Sequence, residues 1–353
     1  MRKMKVAVIG CGTIASSQHI GAYARNEFAE IKYLVDVRQS HVEEMAKTYN
    51  VPFTETDFRK ILLDEEVEAV SICTPNDTHA PIAIACLNAG KHVLCEKPAA
   101  INLEQAVEMK KAADRNNKIL NIGMVNRYNT AVNRVKQMID NGELGKIYHV
   151  NCSFRTHRAI PGLGGPFTTK AKSGGGVLID RGVHFLDLIF YSLSQPNVLT
   201  VTGAVHSEMA KDMKQYTYLD MWAGPPRFDG TYDVEDYVTG MMRTSGPTIS
   251  LNGAWAQNIG ETAMFVEFLG DKAGIKLQYG GEDFKIYSAE KGALFETMPS
   301  FPAADMFFDE IDGFLRSAME NTKDRANIDH VILTSEVMES IYKSAELGKE
   351  VSW

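Results

Sequence analysis

The sequence predicts an α/β protein. An N-terminal doubly wound parallel sheet of the Rossmann type should be followed by a C-terminal α/β domain with an open, mostly antiparallel sheet. Three observations carry this expectation. From residue 5 to about 124, short apolar runs alternate with helical patterns. The first run leads directly into a glycine-rich turn, Gly10-Cys11-Gly12-Thr13-Ile14-Ala15. Beyond about 125 the runs lengthen, and turn residues rather than helices separate them.

The runs at 6–9, 31–35, 69–73, 92–95 and 119–122 are short and show little polar alternation, as strands buried on both faces require. Helices are expected near 15–26, 41–48, 79–89 and 103–116. The third ends at Asn88-Ala89-Gly90, where glycine provides a left-handed stop. Such alternation implies a parallel sheet. The second half should hold a helix at 130–142, a strand at 146–155 and a helix after the glycine triplet at 174–176. Strands are expected at 198–205, 235–243, 247–256, 262–269 and 273–278. Turns such as Gly270-Asp271 and Gly280-Gly281 mark antiparallel neighbours. Residues 207–234, with Trp222 and Gly224-Pro225-Pro226, read as a long loop or lid, and loops of that length are usually functional. Two helices close the chain, near 304–321 and 329–347. The first sets Phe307, Phe308, Ile311, Phe314 and Leu315 on one stripe. The expected domains are 1–124 and 125–353.

A chain of 353 residues can build its core without disulfides. Its five cysteines are odd in number, and their spacing suits neither a disulfide framework nor a zinc site. Cys73 and Cys95 lie in strand-like runs and should be small buried hydrophobes in a reducing cytoplasm. A net charge of −8 without a long Lys/Arg block argues against nucleic acid as a partner. No run of 18 apolar residues predicts a membrane span, and no signal-peptide core precedes the first strand.

Gly10-x-Gly12-x-x-Ala15 has the form of a dinucleotide fingerprint. Gly10 permits the tight turn, Gly12 lets the backbone approach a pyrophosphate, and Ala15 allows close helix–strand packing. Thr13 and Ile14 open the helix whose N-terminal amides would face the phosphates. Asp36 ends the next strand, where an acid meets the adenosine ribose. Its carboxylate favours NAD by repelling a 2′-phosphate. Beyond Val37, Arg38 could pair with that phosphate, so NADP stays possible.

Two further segments are Thr74-Pro75-Asn76-Asp77-Thr78-His79 and Gly90-Lys91-His92-Val93-Leu94-Cys95-Glu96-Lys97-Pro98. With the fingerprint and the segment Gly174-Gly175-Gly176…Asp180…His184, the whole chain resembles the glucose–fructose oxidoreductase / inositol dehydrogenase (Gfo/Idh/MocA) family. The resemblance implies an NAD(P)-dependent dehydrogenase acting on a ring hydroxyl of a sugar, sugar derivative or inositol. It places Thr74, Pro75, Asn76, His79, Glu96, Lys97 and Asn126 by the cofactor, and Arg127 at the junction with the substrate. From the residues alone, Asn76 and His79 could equally cap a helix, and the arginines could form surface ion pairs. Lys97 follows the end of a parallel strand, where open α/β sheets bind ligands. A cation there would stabilise a developing alkoxide.

Asp180 and His184 are four residues apart and share a helix face. The glycine triplet before them would let the backbone pass close to a ligand. Oxidising a carbinol requires a base, and histidine titrates in the right range. His184 is therefore read as general base, with Asp180 holding the substrate hydroxyl or orienting His184. The bland reading is a helix with an acid near its start and a packed histidine. His157, Arg155 and Arg158 end a strand and are expected to meet the substrate. Trp222 could pack on a sugar face, whereas Trp255 sits in a strand and fits a core. His184, Asp187 and His157 lack a recognised ligand spacing, so no metal is expected. Three alternatives remain. One is an NAD-dependent glycosidase, another a sugar-sensing regulator, and the third a reductase of non-sugars like biliverdin reductase. An open sheet leaves one face for a partner, predicting a homodimer or homotetramer.

Overall fold

The computed structural model describes residues 2–280 and 283–353; Gly281, half of one expected turn, lies outside the described residues. The chain begins with β1 (Met4–Ile9), a π-helical turn (Ala15–His19), α1 (Ile20–Arg25), β2 (Ala29–Val35), α2 (Gln39–Tyr49), β3 (Phe53–Glu55) and α3 (Arg59–Leu62). It continues with β4 (Ala69–Ile72), α4 (Asn76–Asn88), β5 (His92–Glu96), α5 (Leu103–Asn116) and β6 (Leu120–Gly123). Then follow α6 (Thr130–Asp140), β7 (Ile147–Arg155), α7 (Lys170–Ser173), a second π-helical turn (Leu178–Gly182) and α8 (Val183–Ser192). Seven strands come next: β8 (Val198–His206), β9 (Tyr237–Thr244), β10 (Thr248–Ala254), β11 (Ala263–Gly270), β12 (Ala273–Gln278), β13 (Phe284–Glu290) and β14 (Ala293–Thr297). The last elements are α9 (Met306–Glu320), α10 (Ile328–Leu347) and β15 (Val351–Ser352).

The expected strands and helices are present; the unexpected α3 and α7 are single turns of four residues, and the unexpected strands are short or exposed. β3 and β15 have three and two residues, too few for a periodic signal. β13 and β14 are mostly exposed; β13 mixes lysine, serine and glutamate with its apolar residues, and the apolar run of β14 is only three residues long.

The chain divides into two compact units. One comprises the residues up to Tyr128 with Ala304–Ile332; the other comprises Asn129–Ala303 with Leu333–Trp353. In the first, six parallel strands take the order β3-β2-β1-β4-β5-β6. The order reverses between β1 and β4, the switch point at which such sheets bind ligands. Val6, Val8, Ile31 and Leu34 pack with Ile20 and Tyr23 of α1, Val42 of α2, and Ile311, Phe314 and Leu315 of α9. The apolar stripe of α9 thus covers the parallel sheet, each such side chain contributing about 1.5–3 kcal/mol by leaving water. Gly90 ends α4 with φ +77°, as its position predicts.

Among the described residues, the second unit is built on a nine-stranded sheet, β14-β13-β12-β11-β7-β10-β9-β8-β15, in which β7 and β10 alone run parallel. Val150, Cys152, Phe154, Ile249, Leu251, Val266 and Phe268 alternate onto a buried face. Phe185 of α8 meets Phe154 there at 5.1 Å between ring centroids. The opposite face is partly exposed. His149 bonds Thr248 and Ser250, Asn151 donates to Glu267, and Lys276 pairs with Glu267. Met241 and Tyr287 are exposed on it. All five cysteines are buried and free. Among the described residues no helix is long and apolar enough to cross a membrane.

His92, at the start of β5, accepts the Ile119 amide N–H at its Nδ1, which requires an unprotonated nitrogen. Burial, then Lys118, push its pKa down to about 4. The unfolded ring titrates near ~6.5, so the folded state binds fewer protons between those values. Its contribution is complete above pH 6.5 and declines as pH falls toward 4. Between pH 7 and pH 5 the parent should lose about 2 kcal/mol more stability than His92→Gln. Urea melts at the two pH values check this; equal losses would refute it.

Candidate active site

The carboxyl ends of the parallel strands gather the predicted cofactor residues of the first unit. Gly10 has φ +89°, and a Cβ there would lie 2.6 Å from the Cys73 carbonyl oxygen. That contact lets the turns after β1 and β4 lie side by side. A Cβ at Gly12 would meet nothing within 4 Å, leaving room for a phosphate above the amides that precede the first π-helical turn. Thr13 is exposed and Ile14 half-buried at that turn. Asp36 follows β2 and binds the glycine loop directly: its Oδ2 accepts the Cys11 amide N–H at 2.9 Å. Its Oδ1 accepts both the amide and Nε of Arg38. Burial resists this charge, but Arg38 and the Cys11 amide bring the carboxyl down to about 2. Val37 between them is 86% exposed. His41, which the sequence did not single out, holds the loop from α2 through Nε2 and the Cys11 carbonyl, 2.7 Å apart.

The loop after β4 differs in one detail from the capping alternative. Pro75, at φ −59°, occupies the N-cap position, and Asn76 is already the first helical residue. The fixed φ of proline suits entry to a helix, so Asn76 does not cap it. His79 is buried, with its ring nitrogens 2.8 Å from the Pro98 and Thr74 carbonyls. It ties the loop after β4 to the loop after β5. Burial lowers its pKa, which disfavours the charged ring, and a neutral ring donates to one carbonyl at a time.

Glu96 ends β5 with its carboxylate turned inward. Oε1 lies 2.9 Å from His19 Nε2, and Oε2 accepts the Lys97 amide at 3.0 Å. Burial opposes the charge on His19, yet Cys73 and Glu96 raise its pKa to about 10. Glu96 therefore fixes the backbone from which the half-buried Lys97 projects. Glu310 joins this pair: donor atoms of His19, Glu96 and Glu310 lie within 4.8 Å of one another. Neither Glu310 oxygen has a hydrogen-bond partner, and burial raises its pKa well above the ordinary carboxylate value. A protonated Glu310 beside a charged His19–Glu96 pair leaves the cluster neutral, as burial favours.

After β6, the 3-10 turn Val125–Tyr128 carries Asn126 and Arg127. Arg127 is buried rather than at the surface, and its guanidinium donates to the Arg325 and His330 carbonyls. Those bonds tie the turn to 325–330 and commit donors that a substrate contact would use. A cavity of about 690 Å³ lined by Arg2, Met4, Glu68, Lys91 and His92 lies at the amino ends of the strands. It is at the wrong end of the sheet to hold a dinucleotide at the glycine loop.

In the second unit, Asp180 and His184 lie on one continuous helical segment, Asp180 in the π-helical turn and His184 one residue into α8. Both are half-buried. Asp180 Oδ2 accepts the indole N–H of Trp255 at 3.0 Å. Trp255 is fully buried, as expected of a core residue, yet it also anchors the candidate acid. Tyr279 stacks on Phe185 at 4.3 Å and lies 6.2 Å from the His184 ring. Neither Trp255 nor Tyr279 carried a motif signal. His157 lies in the loop after β7, and its carbonyl accepts Gln257 N–H and Arg158 Nη1. Arg181 donates to Thr156 Oγ1 in that loop, joining it to the Asp180 segment. Arg155 donates to Ser153, and Arg158 to the Gln257 carbonyl. Trp222 is 61% exposed and meets Phe167 edge-on at 4.9 Å.

The glycine triplet has a different use from the expected one. A Cβ at Gly176 would lie 1.9 Å from the Glu235 carbonyl oxygen, and one at Gly175 would lie 2.1 Å from the Tyr342 hydroxyl. The backbone passes close to the protein's own buried groups.

An NAD-binding oxidoreductase is the class that this fold and these loops define. Residues 4–124 match an oxidoreductase family model with an NAD-binding Rossmann fold, and residues 132–276 match the GFO/IDH/MocA C-terminal domain. The chain belongs to the Gfo/Idh/MocA oxidoreductase family. It is 31% identical to D-glucoside 3-dehydrogenase of Escherichia coli (strain K12), covering 99% of this chain and 97% of that protein. It is 32% identical over 217 residues to glucose-6-phosphate 3-dehydrogenase of Bacillus subtilis (strain 168), covering 60% and 59% of the two chains. The structure of levoglucosan dehydrogenase with NADH and levoglucosan shares the fold, with a TM-score of 0.86, 20% identity and 99% coverage of both chains.

Asp36→Asn should weaken NADH binding about tenfold, since a charge-assisted acceptor is lost. NADPH binding should hold or tighten as Arg38 is released. Fluorescence titration of both cofactors checks this; unchanged NADH affinity would exclude a ribose contact at Asp36.

Proposed function

We propose that the protein is a cytoplasmic NAD-dependent dehydrogenase that oxidises a ring hydroxyl of a sugar, sugar derivative or cyclitol, with His184 as general base. The observation that carries this reading is the helical segment that presents Asp180 and His184 together, with Asp180 held by the Trp255 indole. Both curated relatives described above are named for oxidation at position 3 of a glucose unit. Glucosides attacked at C3 are therefore the first substrates to offer.

In this scheme His184 removes the hydroxyl proton as the carbon–hydrogen bond breaks. Bound NAD supplies the hydride acceptor. Lys97, which follows β5 in the first unit, is assigned to stabilising negative charge as it develops on a substrate oxygen. Asp180 accepts from the substrate hydroxyl or orients His184, and Trp255 prevents it from swinging away. His157 and the exposed Trp222 belong to the segments 155–172 and 207–234, which we assign to substrate selection. A sugar's apolar ring face suits an aromatic such as Trp222.

His184→Ala should lower kcat by about 10²–10⁴ with NADH affinity unchanged. Absorbance of reduced nicotinamide with methyl glucosides, hexoses and inositols gives the readout. Parent-level turnover in the variant would remove His184 from the chemistry. Release of nitrophenol from nitrophenyl glycosides without net NAD reduction would move the protein to the glycosidase reading.

We further propose a homodimer or homotetramer assembled on the uncovered face of the nine-stranded sheet, where Met241 and Tyr287 are exposed among half-buried polar groups. Light scattering at micromolar concentration should give a mass of two or four chains, and Tyr287→Glu should lower it. A monomeric parent would end this proposal.

A further inference from the structure

Three donors converge on one buried carboxylate beside the Asp180 segment. Glu235, two residues before β9, is 6% exposed. Its Oε2 accepts the Gly176 amide at 2.9 Å, and its Oε1 accepts the Leu178 amide at 2.9 Å. The Tyr342 hydroxyl, from α10, donates to the same Oε1 at 2.9 Å. The Glu235 carbonyl also accepts the Val177 amide at 3.2 Å. One residue thus binds three successive backbone amides at the start of the segment that carries Asp180 and His184. Those amides lack partners inside the helix, and a carboxylate there also meets the favourable end of the helix dipole. Gly175 and Gly176 are the residues that admit this arrangement, because any side chain at either would collide with Tyr342 or Glu235.

We infer that Glu235 is a positioning residue, which fixes the rotation and axial placement of the helical segment so that Asp180 and His184 face the substrate. The inference rests on the assignment of that pair to catalysis. Burial pushes the Glu235 carboxyl up, and the two amides and the Tyr342 hydroxyl work against that rise. The next residue extends the brace. Asp236 accepts the Glu208 and Met209 amides and the Tyr232 hydroxyl, closing both ends of the 207–234 segment. Its backbone carbonyl accepts the Trp255 amide, so the residue that holds Asp180 is itself held from here.

Glu235→Gln is the direct test. Glutamine keeps the shape but offers one acceptor oxygen, so its NH₂ group confronts either the Gly176 N–H or the Leu178 N–H and Tyr342 O–H. Turnover normalised to bound NADH should fall about 10- to 100-fold, with NADH affinity unchanged. Bound NADH counts chains whose first unit is folded, and parent-level amide exchange in β9 and β10 shows the second unit folded, so a merely structural residue would show the parent turnover. Amide hydrogen exchange at 176–178 should accelerate by at least about tenfold. Parent-level normalised turnover together with a crippled His184→Ala would overturn the positioning role alone. If His184→Ala and Asp180→Asn both turn over like the parent, the catalytic assignment fails instead. Unchanged exchange at 176–178 in Glu235→Gln would then overturn the brace as well. Should Glu235→Gln not fold, Tyr342→Phe removes one donor and leaves both amide bonds. It should cost about threefold in normalised turnover, and no loss would count against the proposal.

Discussion

The first unit depends on how closely β1 and β4 approach where their paths part. At Gly10 the backbone comes within the space that a Cβ would need against the Cys73 carbonyl. β2 and β3 lie to one side of β1, and β5 and β6 lie beyond β4. The two halves meet along the β1–β4 ladder, and at its carboxyl edge they meet in this close contact. A bulkier residue would push apart the loops that must line a single cofactor. Gly12 has the opposite surroundings, with open space where Gly10 has contact. The two glycines are thus required for different reasons: one is packed by the protein, and the other leaves room for a ligand.

Buried polar side chains hold nearly every functional loop in place. Asp36 fastens the glycine turn to β2, and His79 joins the loops after β4 and β5. The His19–Glu96 pair fixes the amide of Lys97. Glu235 does the same for the segment that begins with the glycine triplet. Each group is costly to bury and is compensated by charge-assisted or multiple hydrogen bonds. Loops braced only by apolar contact could slide, whereas a directional bond specifies one position. Removing one partner leaves the other unsatisfied in a low-dielectric setting, which is more damaging than the net strength of the bond implies. These residues should therefore behave as essential although they need not touch substrate.

Much of this was legible in the sequence, for identifiable reasons. Buried parallel strands produce short unbroken apolar runs, and glycine turns at their ends mark the cofactor edge. The stripe of α9 was equally clear, but periodicity says nothing about which sheet a stripe covers. Its return to the parallel sheet is a long-range contact without a local signal. Bracing residues were illegible for the same reason. Glu235 lies 57 residues beyond Leu178 in sequence, and His19 lies 77 before Glu96. Arg127 was visible as a residue, but only packing decides that its guanidinium serves two carbonyls. Trp255 looked like core and is core; its second task depends on the direction of one N–H.

The π-helical turn at Leu178–Gly182 explains why the four-residue spacing of Asp180 and His184 still works. The segment contains an i→i+5 turn where Asp180 sits and returns to α geometry at His184. Four residues slightly exceed an α turn of 3.6 and fall slightly short of the wider π turn. Both geometries therefore keep the pair on one side, so the inference from α periodicity survives its inexact premise. The wider turn also displaces the backbone locally, which moves Asp180 relative to the rest of α8. Such a turn has fewer close contacts within itself than an α turn and relies more on what surrounds it. Trp255 on the Asp180 carboxylate, Arg181 reaching Thr156, and Glu235 on the preceding amides supply that support from three directions. The widened turn and its braces form one unit, and neither alone would fix where Asp180 and His184 lie.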